Sequence, residues 1–539
     1  MEKLGKDDQP CEIPVPEPGD DELLVKIEAI GLCFSDVKLI RAGEEHPRVI
    51  STNLETDPVI PGHEAVMQVV KAGKNVADQY PVGKRYIIQA DIYVKGVGLA
   101  YGYAIDGGMA QYSLIDQRVL NGDEGSYLLP IQDETPAAVA ALMEPWTCVK
   151  ASYMIENRTK PKADGKMLIV CEPGSEIVYA AGGLLQKYQP AELVLVNASD
   201  DQADALKAEL PNATICRTDK LPVDLKYDDI FLCELDRETA EAAGQLCEIG
   251  ATINFIGGYP DEKWNFDIGS IHYKGWFYQG ADSTVLSDAY NHNVRSELKK
   301  GGTCWLPGGA GAMGQMHTQL AVESMEGPSR ILVTDMDNVR IENVKKLLAD
   351  KIAERGIEFK TMNPKDFASP ADFNAAVREF APKGFDDIVM LVPVVPVVND
   401  AADYLKENGL MNVFAGIPAG KQAMLNVAAI ANHGARYIGS SGSRTFHLRH
   451  TIDLAESGEL RPVTALAGIG GMKDLKKGLI AVMNAEFPGK TVIFPNCTDM
   501  PLKQIGELEE LIDDAGATLD SAGFYTMETE RKLIEKYEK

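Results

Sequence analysis

The stretch TCWLPGGAGAMGQMHTQLAVESMEGPSRILVTDMD, residues 303–337, decides the fold of this chain. It opens with a short apolar run and then passes through three glycines with the spacing GxGxxG, Gly309, Gly311 and Gly314. A helix-compatible segment follows, and after it a second apolar run is closed by Asp335. The pattern predicts a strand, a glycine-rich turn, a helix and a second strand.

This order of elements is what a dinucleotide site needs. Glycines let the backbone approach a pyrophosphate closely, and the helix N-terminus offers free N–H groups and the positive end of the helix dipole. An acidic side chain about twenty residues further on can accept hydrogen bonds from the adenosine ribose. Glycine-rich turns also join strands to helices without a ligand, but the strand, the helix and Asp335 together favour the dinucleotide interpretation.

Length and composition limit the class of protein. A chain of 539 residues with 45% hydrophobic and 25% charged residues is expected to form several globular domains. The net charge of −27 argues against nucleic acid or an anionic membrane as a partner, and no apolar run reaches the length of a membrane span. The nine cysteines contain no CxxC pair, and the N-terminus has no apolar signal core. These features predict reduced thiols and a cytoplasmic protein.

The central part of the chain contains two similar series of strand-like runs. The first reads GKMLIVCEPGSEIVYAAGG, ELVLVNASD, DDIFLCEL, GATINFIGGYP and GWFYQGADS, and the second reads GGTCWLPGGAGAMGQMH, RILVTDMD, FDDIVMLVP, GLMNVFAGIP and RYIGSSGS. Strands that alternate with helix-like stretches indicate parallel βαβ units. The sequence therefore predicts an α/β protein with two tandem, doubly wound Rossmann-like units, at about 165–300 and 301–450. A chance likeness between two unrelated Rossmann-like units is the alternative.

The two series differ where a coenzyme would bind. The first has Glu172 to Ile177 in place of the three glycines, and it has Asn197 in place of Asp335. A carboxylate at Glu176 would face the pyrophosphate. The first unit is therefore predicted to be a degenerate scaffold, and binding of a different ligand is the alternative.

The β-rich residues before the first unit contain a series of motifs. In chain order they are GLCFSDVKLIRAG (31–43), PVIPGHEAVMQVVKAGKNV (58–76), VGKRYIIQA (82–90), GGMAQYSLI (107–115) and LMEPWTCV (142–149). Together they resemble the zinc-dependent medium-chain alcohol and polyol dehydrogenase family. The likeness continues through the second Rossmann-like unit and through FPGKTVIF near the C-terminus.

The resemblance implies a domain organisation. A GroES-like zinc catalytic domain is expected at 1–155, and 451–497 are expected to return to it. Residues 498–539 form an acidic, helix-compatible extension that resembles nothing in the family. In the second Rossmann-like unit the resemblance implies NAD(H) as the coenzyme. The residues expected to contact it are Gly309, Gly311, Ala312, Met313, Gly314, Asp335, Arg340 and Val392.

The resemblance also implies one catalytic zinc ion. Cys33 and His63 match residues that bind the zinc directly. Of Glu64 and Glu144, one matches a further ligand and the other a residue near the metal, and the sequence leaves open which is which. Cys33 in the core and Glu64 at the surface, without a metal, is the alternative. No cysteine lies between Gln89 and Gly108, so a second, structural zinc is not expected.

Zinc acts in such sites as a Lewis acid that lowers the pKa of a bound hydroxyl. By resemblance, Ser35 and Glu64 are expected to act in the reaction, with Ser35 as a relay for the proton. Lys38 stands where relatives often have a histidine, so the outer part of the relay is open. Four cationic side chains follow the first metal ligand, and they are either solvated or placed to bind a phosphorylated sugar: Lys38, Arg41, His46 and Arg48.

The sequence therefore predicts a zinc- and NAD(H)-dependent oxidoreductase that interconverts a secondary alcohol and a ketone. Its partner would be a small polyol or ketose, or the phosphate of one. One alternative is a nucleotide-binding regulatory or assembly protein with a non-catalytic metal site, and another is a zinc-free reductase of activated double bonds. The substrate, the direction of reaction in the cell and the formation of a homo-oligomer are left open.

Overall fold

The computed structural model describes residues 4–6, 9–290 and 295–538. Residues 291–294, which fall within the predicted first Rossmann-like unit, lie outside the described part of the chain.

The chain divides into two compact units. Unit 1 contains Met1–Ala151, Gly311–Met316 and Gly442–Lys539, and unit 2 contains Ser152–Ala310 and His317–Ser441. Unit 1 is thus assembled from segments that are far apart in sequence. The return to unit 1 at Gly442 lies earlier than the predicted return at residue 451.

The N-terminal part of unit 1 is rich in short strands. The strands are β1 (Leu23–Gly31), β2 (Glu64–Ala72), β3 (Arg85–Ile88), β4 (Tyr93–Val94), β5 (Val97–Gly98), β6 (Tyr112–Ile115) and β7 (Leu128–Pro130). The helices are α1 (Phe34–Ala42), α2 (Gln117–Leu120), α3 (Ala137–Ala141) and α4 (Met143–Ala151). β1 is the central strand, since it pairs antiparallel with both β2 and β6.

The first Rossmann-like copy is a six-stranded parallel sheet. Its elements are β8 (Lys166–Cys171), α5 (Gly183–Lys187), β9 (Glu192–Val196), α6 (Asp200–Glu209), β10 (Thr214–Thr218), β11 (Tyr227–Cys233), α7 (Arg237–Ala243), β12 (Cys247–Ile256), β13 (Lys263–Asp267), α8 (Ile268–Lys274) and β14 (Phe277–Ala281). The strand order is β10-β9-β8-β11-β12-β14.

The second copy repeats this architecture. Its elements are β15 (Thr303–Pro307), α9 (Ala312–Glu323), β16 (Arg330–Thr334), α10 (Asn338–Arg355), β17 (Glu358–Met362), α11 (Pro370–Phe380), β18 (Phe385–Met390), α12 (Val395–Ala402), β19 (Leu405–Val413), β20 (Gln422–Asn426), α13 (Val427–Ala431) and β21 (Arg436–Ile438). The strand order is β17-β16-β15-β18-β19-β21. The predicted α/β fold with two tandem Rossmann-like units is confirmed.

The two copies pack against each other within unit 2. β13 of the first copy pairs antiparallel with β20 of the second, with Trp264 opposite Leu425. Both side chains are buried in a hydrophobic core that contains residues of both copies. The alternating apolar residues of these two short strands thus join the copies into one unit.

The C-terminal part of the chain completes unit 1. It contains α14 (Thr445–Glu456), β22 (Leu466–Gly471), α15 (Leu475–Asn484), β23 (Lys490–Phe494), β24 (Lys503–Gln504) and α16 (Met527–Tyr537). β23 pairs with β1, so this late strand adds to the sheet that the N-terminal strands begin.

The extension after β24 is docked on unit 1 through α16. Glu530 is buried, and its carboxylate accepts hydrogen bonds from the N–H groups of Ala137 and Ala138, at 2.6 and 3.0 Å. Arg85 donates to the carbonyl groups just before the same helix, which include that of Thr135 at 2.8 Å. The start of α3 is therefore fixed from two sides.

Candidate functional site

Three of the four predicted metal ligands lie together at one end of the β1–β2 pair. In the antiparallel register Gly31 is opposite Glu64, so Cys33 just after β1 and His63 just before β2 leave the sheet at the same place. The ligand atoms of Cys33, His63 and Glu64 all lie within 4.8 Å of one another. We call these three residues the donor group.

A buried aspartate that the sequence analysis did not single out orients the donor group. Asp36 Oδ1 lies 3.0 Å from His63 Nδ1, and Asp36 Oδ2 accepts a hydrogen bond from the Cys33 N–H at 3.0 Å. Burial opposes a charge on the His63 imidazole, but Asp36 and then Cys33 outweigh it and raise the pKa of His63 well above its usual value. Because Nδ1 is held by a carboxylate, Nε2 is the ring nitrogen left for a metal. The signal was present in the sequence, since Asp36 lies within the quoted motif GLCFSDVKLIRAG.

The two carboxylate oxygens of Glu64 have different surroundings. Its Oε1 lies 2.5 Å from Lys490 Nζ on β23, and both side chains are buried. The Oε2 atom is buried and has no hydrogen-bond partner among the described residues. A Cβ atom at Gly31 would come within 2.1 Å of Oε2, so only glycine fits at that position of β1. The free carboxylate oxygen thus lies in a space that the backbone leaves open for it.

Lys490 was also missed by the sequence analysis. Burial lowers the pKa of Lys490, but Glu64 and Cys33 outweigh burial and hold it above the usual value. The lysine therefore stays charged and offsets part of the negative charge of the donor group.

Glu144 lies near the donor group but is not one of its three members. It is buried in the first turn of α4. Burial raises the pKa of Glu144 to about 7, while the His63 ring opposes the rise and the Glu64 carboxylate adds to it. Cys148 Sγ, one helical turn later, is 3.9 Å from Glu144 Oε1. Glu64, and not Glu144, thus shares the donor group with Cys33 and His63.

The donor group fits a zinc ion. Thiolate, imidazole and carboxylate are the ligand types that catalytic zinc takes in proteins. The partnerless Glu64 oxygen is the kind of buried polar atom that a bound cation would satisfy. Ser35, the predicted proton relay, is half-buried in the first turn of α1, two residues after Cys33.

The predicted coenzyme loop follows β15. Gly308 has a φ of 81°, and its N–H donates to the Thr334 carbonyl at 2.7 Å. Asp335 directly follows this carbonyl group, so the acid lies beside the glycine-rich turn. Val392 packs against this turn, since a Cβ atom at Gly308 would come within 2.8 Å of Val392 Cγ2.

Of the remaining predicted coenzyme residues, Gly309 lies in the turn after β15, and the others lie in or next to the first turns of two helices. Ala312, Met313 and Gly314 form the first turn of α9, and Gly311 directly precedes it. Arg340 is in the first turn of α10, where its Nε lies 3.9 Å from Asp337 Oδ2. Asp337 also accepts hydrogen bonds from the N–H groups of Val339 and Arg340, so it caps this helix.

The first copy has a different structure at the corresponding place. No helix begins directly after β8, and the chain runs without regular helix or strand until α5 starts at Gly183. Ala180 within this stretch makes a parallel bridge to Val285. A helix N-terminus that could face a pyrophosphate next to β8 is therefore lacking in the described residues of this copy.

In the part of the chain that the structure describes, no helix combines the length and the apolar character needed to cross a membrane.

Comparison with known proteins identifies the N-terminal part of the chain. Residues 19–121 match the alcohol dehydrogenase GroES-like domain. Mannitol-1-phosphate 5-dehydrogenase of Aliivibrio fischeri is 22% identical over 99% of this chain and 96% of its own length. L-Sorbose 1-phosphate reductase of Klebsiella pneumoniae is 25% identical over 51% of this chain and 72% of its own length.

A solved structure supports the same fold. An alcohol dehydrogenase from Thermotoga maritima superposes with a TM-score of 0.51 at 13% identity, and the match covers 91% of this chain and 98% of that one. The α/β architecture of unit 1 and the Rossmann-like sheets is thus that of a known alcohol dehydrogenase, and the two sequence relatives are a dehydrogenase and a reductase. The chain is thus similar to medium-chain alcohol and polyol dehydrogenases in its sequence and in its fold.

Proposed function

We propose that the chain is a zinc-dependent dehydrogenase that transfers hydride between NAD(H) and a secondary alcohol or ketone of a polyol or sugar phosphate. The observation that carries the proposal is the donor group of Cys33, His63 and Glu64, with its buried, partnerless carboxylate oxygen. The relatives named for phosphorylated polyols and ketoses support the substrate class.

The donor group would hold one zinc ion, which when bound supplies a Lewis acid for the alcohol or carbonyl oxygen of the substrate. Asp36 keeps the His63 ring oriented and in the tautomer that leaves Nε2 free. Lys490 holds Glu64 in place through its other oxygen. With a pKa near neutrality, Glu144 can take up or release a proton beside the donor group.

The second Rossmann-like copy would hold the coenzyme. The N-terminus of α9 would face the pyrophosphate, and Asp335 would accept hydrogen bonds from the adenosine ribose. Because the Asp335 carboxylate would repel a 2′-phosphate, we propose NAD(H) as the preferred coenzyme over NADP(H). Equal kcat/KM with both coenzymes would contradict this preference.

The proposal is tested by metal content and turnover together. Polyols, ketoses and their phosphates are screened while NADH absorbance is followed, and zinc is measured by mass spectrometry. Cys33→Ala should lose most of the bound zinc and lower kcat/KM by more than about 100-fold, because a ligand is removed. Cys216→Ala is the matched control, since Cys216 is exposed in the first copy and should change neither quantity.

Two results would contradict the proposal. Full activity of Cys33→Ala after exhaustive chelation would rule out the metal mechanism. Binding of zinc and NADH without turnover of any alcohol or ketone would favour a regulatory or assembly protein with a non-catalytic metal site.

A further inference from the structure

Cationic side chains surround one aromatic ring beside the donor group. The Tyr103 ring lies 5.9 Å from the His63 ring, measured between centroids. The Tyr103 ring also contacts two basic side chains. The centroid of the His46 ring is 5.2 Å from the Tyr103 centroid, and the Arg48 Cζ atom is 5.7 Å from it. The Tyr103 ring therefore lies between the donor group and the side chains of Arg48 and His46.

The structure separates the four cations of this segment into two sets. The Arg41 guanidinium contacts the sulfur of Met483 on α15. Lys38 is exposed on α1 and has no acidic partner among the described residues, and it acts electrostatically on His46. Lys38, His46 and Arg48 thus form one cationic cluster, and Arg41 is outside it.

Arg48 is held in place without being enclosed. Its Nη1 donates to Asp91 Oδ1 at 3.0 Å, while Asp91 Oδ2 accepts the Ser443 N–H at 3.3 Å. The Arg48 side chain remains 43% exposed. A guanidinium has five N–H donors, so after the bond to Asp91 it still presents donors to a ligand in the open space.

Within the cationic cluster, the charges of Arg48 and Lys38 act on the His46 ring. Burial first, and then Arg48 and Lys38, lower the pKa of His46, so the two permanent cations disfavour a charge on this ring. Burial raises the pKa of Tyr103 to about 12, so the central ring stays neutral and does not offset them. Asp91 is the carboxylate that contacts the cluster among the described residues. A dianionic group would relieve the repulsion, and phosphate suits a guanidinium because it accepts paired N–H bonds.

We propose that Arg48, with His46 and Lys38, binds the phosphate group of a substrate whose reacting carbon lies at the donor group. This inference rests on the proposed function, because it places the phosphate on the molecule that is oxidised or reduced. It assigns the phosphate end of the substrate to the Tyr103 side of the donor group.

The test compares two substrates that differ only in the phosphate, mannitol 1-phosphate and mannitol. Arg48→Met removes the charge and keeps much of the side-chain length. It should lower kcat/KM for mannitol 1-phosphate by about 10- to 100-fold, mainly through a higher KM. The loss with mannitol should be several-fold smaller, and Arg48→Lys should restore part of the phosphate preference. Arg41→Met is the matched control and should leave the ratio between the two substrates unchanged.

The phosphate site is also tested without turnover. Titration with inorganic phosphate, followed by calorimetry, should show binding to the wild-type and Arg41→Met proteins and loss of binding in Arg48→Met. An equal loss with both substrates, or phosphate binding that Arg48→Met does not weaken, would overturn the inference. If the wild type turns over neither substrate but Arg48 is needed for phosphate binding, the proposed reaction fails and the phosphate site stands.

Discussion

In the first Rossmann-like copy, an arginine and a lysine that precede the first strand hold two aspartates at the start of the fourth strand. Arg158 Nη1 lies 2.8 Å from Asp229 Oδ1, and Lys162 Nζ lies 2.6 Å from Asp228 Oδ1. The second copy repeats both contacts with Arg295, Asp387, Lys299 and Asp386. The edge of the sheet where the strands begin is therefore built in the same way twice.

The opposite edge differs between the copies. The helix after the first strand is α9 with 12 residues in the second copy, but only α5 with 5 residues in the first. The second copy also has α11 between its third and fourth strands, where the described residues of the first copy contain no helix. The comparison teaches that the ion pairs at the start of the strands serve the fold of both copies. We expect the residues at the carboxyl ends to bind a coenzyme in the second copy only.

The largest expected effect comes from placing a carboxylate in the coenzyme loop of each copy. Gly311→Glu should lower NADH affinity by more than about 100-fold, because the new charge faces the pyrophosphate in a partly desolvated site. Ser175→Glu is the matched change in the first copy and should leave affinity and a stoichiometry near one unchanged. Ser175 is preferred to Gly174, whose φ of 78° would strain any side chain. Calorimetric titration with NADH measures both the affinity and the stoichiometry. A loss of binding in Ser175→Glu would show that the coenzyme binds to the first copy and not to the second.

The shared edge is tested by removing one aspartate at a time. Asp229→Ala and Asp387→Ala should each lower the free energy of unfolding by about 3 kcal/mol, because each leaves a partly buried arginine without its carboxylate. Urea unfolding followed by circular dichroism measures the loss. As a control, Asp200→Ala removes an exposed partner of Arg217 and should cost less than about 1 kcal/mol. A large effect in one copy alone would show that the repeated contacts are not equivalent.

The smallest effect is expected where the copies differ by one side chain after the second strand. Asp335→Asn gives the second copy the residue that the first copy has at Asn197. Removing the repulsion of a 2′-phosphate should narrow the preference for NAD over NADP by about tenfold. Steady-state kinetics with both coenzymes measure this preference. Asn197→Asp in the first copy is the matched control and should leave the preference unchanged. A preference that does not change would show that Arg340 or the loop sets it.

The parts of the fold that follow from local sequence could be predicted. The strands of both copies, the turn after β15 and the acid after β16 each depend on neighbouring residues, and the structure has them in place. Asp335 was expected to close the second strand of this unit, and it directly follows β16. The family motifs implied Cys33 and His63 as ligands and left the order of Glu64 and Glu144 open, and the structure groups Glu64 with Cys33 and His63.

Other features depend on contacts that a motif does not contain. Lys490 meets Glu64 only because β23 joins the sheet of β1, and neither sequence segment indicates the other. The missing helix after β8, in contrast, has a cause within its own sequence. Ile177, Val178 and Tyr179 favour an extended chain, and Gly182 and Gly183 then interrupt it, which outweighs the apparent repeat. The repeated ion pairs begin at Arg158 and Arg295, ahead of the predicted starts of the two copies at 165 and 301.

The ion pair between Glu64 and Lys490 also concerns the synthesis of the protein. The two residues are separated by 426 positions, so a ribosome needs about 20 to 90 s to reach the second after the first. Both Rossmann-like copies are translated within that interval and can fold while the N-terminal strands still lack β23. Until Lys490 emerges, the Glu64 carboxylate of the nascent chain has no lysine partner. The unit that carries the donor group is thus the last part of the chain that can be completed.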